Sequence, residues 1–453
     1  MHEAESPQNP PLPPGNTGDG HPYAIFRHRD LVLYLLSRLV GVTGQQMFTI
    51  AILWEIYART GSALALGLVG LVQMIPMFLF TLPAGHVADS YNRKRIIVLM
   101  TAVIAAASLG VAFTSWRHEP VSWIYFCLFV GSTANTFMRA ASAAFLPALV
   151  SRPEFPRAVN WNAGAFQFSC IVGRATAGGV IAWMVFRHFH SLNNPAAAAP
   201  VYVINALASA IVCVLVGLIR REHVVQVKEP MTLRTLLTGF KFVYASKIIL
   251  GLITLDMFAV FLGGATALLP IFAADILFVG PTGLGFLSAA LPLGSVFCAF
   301  ILNHRGPLQK AGRTLLWAVT VFGAATIAFG LSKWFWFSFA MMFLCGAVDN
   351  ISVVVRHTLV QMLTPDEKRG RVSAVNNLFI GTSNELGEFE SGVTAQWFGP
   401  ILHHVPATAG QAYVQAMATG AILSTVVGGC GTILVVLAVA WIWPEIWRYG
   451  KLG

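Results

Sequence analysis

Four arginines lie inside long apolar runs, Arg38, Arg139, Arg174 and Arg356, and six carboxylates share or flank those runs: Glu55, Asp256, Asp349, Glu385, Glu388 and Glu390. On insertion-based scales an arginine at the centre of a bilayer costs about 2.5–3.5 kcal/mol, so four facing lipid cost roughly 10–14 kcal/mol. They must face protein or water. A guanidinium held there offers a fixed fork of donors to an anionic or acceptor-rich solute. A carboxylate beside it can take up and release a proton as a solute competes for the arginine.

Spacing sorts these groups into faces. At about 100° per residue, Glu385 and Glu388 fall within about 60° of each other, on one polar face with Gly381 and Asn384. Glu390 points the other way, with Phe379 and Trp397. Asp349 and Arg356 are seven residues apart and share a face, as do Gln167 and Arg174. Polar stripes run through Tyr34, Arg38, Gly41, Gln45 and Thr49, and through Ser132, Asn135, Arg139 and Ser142. Two readings of such stripes stand side by side: hydrogen bonding between helices, which membrane bundles use widely, and the lining of a solute cavity. Arg38, Gln45, Asn135, Arg139, Gln167, Arg174 and Arg356 are candidate substrate-binding residues. Glu385, Glu388, Asp349 and Asp256 are candidate proton-coupling residues, with structural ion pairing as the other reading. Gly173 and Gly178 would let their helix approach a neighbour closely.

The elements that carry these residues follow from composition. The chain of 453 residues is 56% hydrophobic and 11% charged, which a water-soluble domain of this size could not expose without aggregating. Apolar runs of about 20 residues span roughly 30 Å of hydrocarbon as helices. We find twelve, at 31–55, 62–88, 96–115, 121–150, 158–186, 199–219, 248–274, 280–303, 314–331, 334–362, 371–399 and 415–443. A closed barrel would instead show alternating strands of about ten residues. The fold class is all-α integral membrane.

Residues 1–22, rich in Pro, Gly and Asn, read as a disordered tail. The longest polar break, 221–247, divides the runs six and six and reads as a linker. The expected organisation is two six-helix bundles, 23–220 and 248–444, with a short tail at 445–453. Of the 29 lysines and arginines, 21 fall in segments that share a side with both termini, and only Arg59, Arg117, Arg187 and Lys333 fall in the loops opposite. The positive-inside rule puts both termini in the cytoplasm and assigns the net charge of +10 to membrane topology rather than nucleic acid. A shift of 214 residues maps Asn162 on Asn376, Gly173 on Gly387 and Gly178 on Gly392. Repeats of this kind build two pseudo-symmetric bundles with a site between them near the midplane.

The eleven residues Gly85 to Arg95, reading GHVADSYNRKR, make a tight basic turn between two runs. They resemble the loop signature of the major facilitator superfamily, with Gly85, Asp89, Arg93 and Lys94 in place, and with Ser90 and Asn92 where Arg and Gly are usual. Asn tolerates left-handed backbone, so the turn can survive. Thr60 to Gly67 and Thr364 to Ala374 are similar to the branch of bacterial effluxers that contains the enterobactin exporter. In helix 5, Arg174 stands where drug–proton antiporters of the superfamily carry a proline. The segment Asn303 to Lys310, the counterpart of the loop signature, is degenerate. The resemblance implies the twelve-helix facilitator fold, alternating access, and a gate in which Asp89 and Arg93 hold the halves together on the cytoplasmic side when the transporter faces outward. It also implies export of a small organic solute such as a siderophore or drug across the bacterial inner membrane.

Protons as coupling ion, membrane lipids as surroundings and a monomeric state complete the expectation. Motifs for nucleotide binding, serine hydrolysis and zinc proteolysis are absent from the sequence, which speaks against an enzyme and for energy from a gradient. His403 and His404 lack a third ligand, and the six cysteines sit at unrelated spacings within runs, so no metal and no cofactor is expected. Transport of a lipid-like substrate, or a non-transporting sensor on the same scaffold, are the alternatives.

Overall fold

The structure is a computed structural model and describes residues 24–151, 153–189, 195–220, 240–304 and 310–450. Tail 1–22 and most of the expected linker lie outside the described residues. So does the centre of the degenerate segment at 305–309. Twelve long helices are described: α1 Arg29–Thr60, α2 Ala63–Ser90, α3 Arg93–Arg117, α4 Val121–Leu149, α5 Phe155–Met184, α6 Ala199–Gly217, α7 Lys247–Gly263, α8 Gly280–His304, α9 Ala311–Leu331, α10 Phe335–Leu363, α11 Asp366–Gln396 and α12 Gln411–Ile442. All but α11 are long and apolar enough to span a membrane by themselves, α7 together with its extension to Ile276. Charges in the first turns and in the middle of α11 dilute its apolar character.

Local sequence sets the joints. Gly61, at φ +58, ends α1, and the Ser62 hydroxyl accepts the Ala65 N–H to start α2. At the α2–α3 turn Asn92 departs from expectation: its backbone is extended rather than left-handed, and its side-chain carbonyl accepts the Arg95 N–H at 3.3 Å. Asn survives there as a helix cap. The run at 248–274 is not one straight helix. After α7 the chain passes through a tight turn at Ala265–Leu268, a short helical piece Leu269–Ile271 and a wide turn to Ile276. Gly263 and Gly264 weaken the helix, and Pro270 supplies no N–H to continue it.

Packing distinguishes the two ends of the molecule. At the end that holds the α1–α2 turn, one core draws on both halves, including Ile52, Ile56, Leu66 and Tyr202 from the first and Leu268, Phe272, Leu284 and Phe329 from the second. At the opposite end, where the basic α2–α3 turn lies, there are two cores. One gathers Leu31, Tyr34, Phe145 and Val216 from the first half, and the other Ile249, Leu315, Leu359 and Val439 from the second. Among the described residues the halves share a core at the first end and keep separate cores at the basic end.

Candidate functional site

Glycines make the seam between the halves. A methyl group on Gly178 of α5 would lie 2.3 Å from the Pro281 carbonyl of α8, and one on Gly392 of α11 would lie 2.6 Å from the Ala63 carbonyl and 2.7 Å from Gly67 Cα of α2. Gly173 and Gly387 do a different task within each half: α5 meets Thr43 of α1 there, and α11 meets Val260 of α7. Glycines paired by the 214-residue shift therefore make equivalent contacts. Polar groups fasten the same end. Tyr57 of α1 donates to Asp275, and the Ser62 hydroxyl donates to Gln396 Oε1 at 3.0 Å.

Below the Gly178 crossing stands Arg174. Its Nε donates to Gln46 Oε1 at 2.9 Å in the first half, and its Nη1 donates to the Ser288 carbonyl at 3.1 Å in the second. Arg174 and Ser288 line a cavity of about 340 Å³ between the halves, together with Thr49, Asp349, Asn384 and Glu388. Thr266 turns its hydroxyl toward Glu388 Oε1 at 3.4 Å. Gln46 lines a second cavity of about 290 Å³ within the first half, with Arg38, Gln45, Asn135, Arg139 and Asn205. The Gln46–Arg174 pair forms part of the wall between them.

The second cavity holds two guanidiniums and no carboxylate among its lining residues. Arg38 Nε is buried without a hydrogen-bond partner, and Arg139 is exposed toward the cavity. Across the seam Glu385 is the electrostatic neighbour of Arg139, and Glu388 that of Arg174. Arginines of the first half thus oppose carboxylates of the second. Chemically, the arrangement can hold an acceptor-rich solute on one wall and protons on the other.

The structure brings together Arg38, Gln45, Asn135 and Arg139 in one cavity and Arg174, Asp349 and Glu388 in the other, with Glu385 between. Gln167 is not among the lining residues of either. Arg356 pairs with Asp256 inside the second half, and neither lines these two cavities. Glu55 is fully buried in a network of its own: Arg59 Nη2 lies 2.6 Å from Oε1, and the Tyr202 hydroxyl donates to Oε2 at 2.6 Å.

The basic turn keeps its charges within the first half. Arg93 Nη2 is 3.7 Å from Asp89, Arg93 Nη1 donates to the Ala144 carbonyl at 2.8 Å, and Lys94 Nζ donates to the Ile219 carbonyl at 2.6 Å. Around Gly85 nothing lies within 4 Å of where a side chain would begin. Sequence reasoning passed over Gln46, Thr266, Tyr57 and Asp275. The last two fell just beyond the apolar runs 31–55 and 248–274, and Gln46 stands beside the selected Gln45.

The family description "Major Facilitator Superfamily" matches residues 34–387. Among similar proteins, an enterobactin exporter of Shigella flexneri is 24% identical over 380 residues, covering 81% of this chain and 85% of that one. One from Escherichia coli O1:K1 is 25% identical over 378 residues with the same coverage. Among solved structures, a bacterial homologue of the human lysosomal transporter Spinster, inward-facing and unoccupied, aligns with a TM-score of 0.73 at 16% identity, over 94% of this chain and 99% of that one. The nucleoside transporter NupG aligns with a TM-score of 0.68 at 11% identity, over 93% of this chain and 99% of that one. These folds agree with the two-bundle architecture, and the match across most of the sequence settles its kinship: the chain is a multi-pass membrane transporter that belongs to the Major Facilitator Superfamily.

Proposed function

We propose that this transporter exports a small organic solute, of the siderophore or drug kind, from the bacterial cytoplasm in exchange for protons. The observation that carries the reading is the apposition of Arg139 and Arg174 in the first half with Glu385 and Glu388 in the second, beside two polar cavities. The names of the relatives support efflux, and the distribution of lysine and arginine supports an inner-membrane protein with both termini in the cytoplasm; the proposed working unit is a monomer. With that orientation the end with separate cores faces the cytoplasm.

A solute entering there meets Arg38, Gln45, Asn135 and Arg139. The solute binds these guanidiniums and crosses outward with Glu385 and Glu388 ionised; once it has left, the two carboxylates take protons from outside, carry them inward and give them up to the cytoplasm as the next solute binds. Asp349 stands at the edge of this exchange, while Asp256 and Arg356 keep the second bundle rigid. Asp89, Arg93, Lys94 and Gly85 form the cytoplasmic gate when the halves rock together. Glu388→Gln tests the proton role: gradient-driven transport in proteoliposomes should stop while counterflow exchange continues. Loss of both, or of neither, overturns it.

A further inference from the structure

Away from the seam, the outer face of the first half carries a trough of about 710 Å³, roughly twice the cavity between the halves. Its origin is packing: α2 and α3 each lie along α4 but touch one another little beyond their shared turn. Ile96 and Ala134 are buried at its floor, and Leu99 is exposed on its rim. The walls are apolar with one exception, Thr133, whose hydroxyl donates to the Phe129 carbonyl at 2.8 Å. The remaining polar lining, Tyr91, Asn92 and Arg95, gathers at the end beside the basic turn.

Three basic residues follow one another there, and two are already engaged. Arg93 is held by Asp89 and by the Ala88 and Ala144 carbonyls, and Lys94 by the Ile219 carbonyl. Arg95 is exposed at the mouth of the trough. From Arg95 to Val103 is eight residues of α3, about 12 Å of rise, against roughly 15 Å for the hydrocarbon of one leaflet. A cation at headgroup level above an apolar slot of leaflet depth matches a phospholipid in charge and in length.

We propose that this trough binds one anionic phospholipid, with its phosphate at Arg95 and an acyl chain along Leu99, Val103, Phe129 and Phe137. The lipid is a fixed ligand on the outside of the bundle, seated against the two helices that the basic turn joins. The test is native mass spectrometry of the delipidated full-length protein, titrated with phosphatidylglycerol and with phosphatidylcholine of the same acyl chains. The first phosphatidylglycerol should bind about fivefold more tightly, the worth of one arginine near the surface. Arg95→Gln should remove that preference, Leu99→Trp should weaken both lipids by narrowing the slot, and Arg117→Gln, at the far end of α3, should change neither. Equal affinity for the two lipids, a preference that survives Arg95→Gln, or one equally lost in Arg117→Gln overturns the assignment.

Discussion

Gly173 and Gly178 stand five residues apart on one helix, yet alanine at the two should produce different failures. At Gly178 the new methyl would lie 2.3 Å from the Pro281 carbonyl oxygen, about 1 Å inside the 3.4 Å at which ordinary contact begins. The obstructing atoms are backbone, so relief requires α5 to withdraw from α8. Overpacking of this kind costs about 1–3 kcal/mol. Because the α5–α8 contact joins the halves, that cost falls on the equilibrium between joined and parted states, a shift of roughly 5- to 150-fold. At Gly173 the obstacle is the Thr43 carbonyl at 2.6 Å, within the same half. Its cost is carried in every conformation and lowers thermal stability without favouring either state. Spin labels at Thr60 and Gln411, one in each half at the joined end, read the separation by double electron–electron resonance. Gly178→Ala should move the distance distribution to longer values, and Gly392→Ala, its symmetry mate, should do the same. Gly173→Ala and Gly387→Ala should leave it in place. If all four variants shift it alike, or none does, the division of labour among these glycines is wrong.

Arg356→Gln strands the Asp256 carboxylate inside the second half and should cost about 3–5 kcal/mol, read as a lowered unfolding midpoint in detergent; adding Asp256→Asn should recover most of it, and a double variant as unstable as the single would contradict the pairing. Asp89→Asn should slow turnover more than it weakens solute binding, and turnover equal to wild type would remove the gate role. Glu154, outside the membrane, takes hydrogen bonds from Ser151 and His28 that hold its carboxyl down to about 2, against about 4.3 for a free glutamate. Its folded value lies below its unfolded one, so its contribution is complete above about pH 4.3 and is lost as the pH falls toward 2. A carboxyl carbon titration with a midpoint near 4.3 would show that the α1–α5 clasp is not made.

Much of this fold is written in apolar length, since no solvent but lipid tolerates eleven such helices, and only α11 hides its span behind charge. The 214-residue repeat also carried true spatial information: its glycines sit at matching contacts because related halves fold alike. Helix-wheel geometry placed Glu385 and Glu388 on one face, and the structure sets both against the first half. What escaped was the pairing of faces across the molecule. Nothing local to Arg356 says that its partner is Asp256, a hundred residues away, or that Arg174 reaches Gln46 and Ser288 rather than solvent. Hydropathy also trims the polar ends of helices, and the Tyr57–Asp275 contact is built from such ends. Asn92 was legible as a tolerated residue but not as a cap, because the α3 boundary that gives it that role is set by the fold of the turn.

In the proposed mechanism, solute movement is coupled to protons through the carboxylates facing Arg139 and Arg174. Its most direct test is proton flux in proteoliposomes of the purified protein, loaded with a pH-sensitive dye and challenged with a catecholate siderophore and then a panel of lipophilic drugs. Solute-dependent proton movement should appear, and should be absent from empty liposomes and from liposomes carrying Glu388→Gln. Solute transport with no accompanying proton flux, or flux undiminished in that variant, would contradict it.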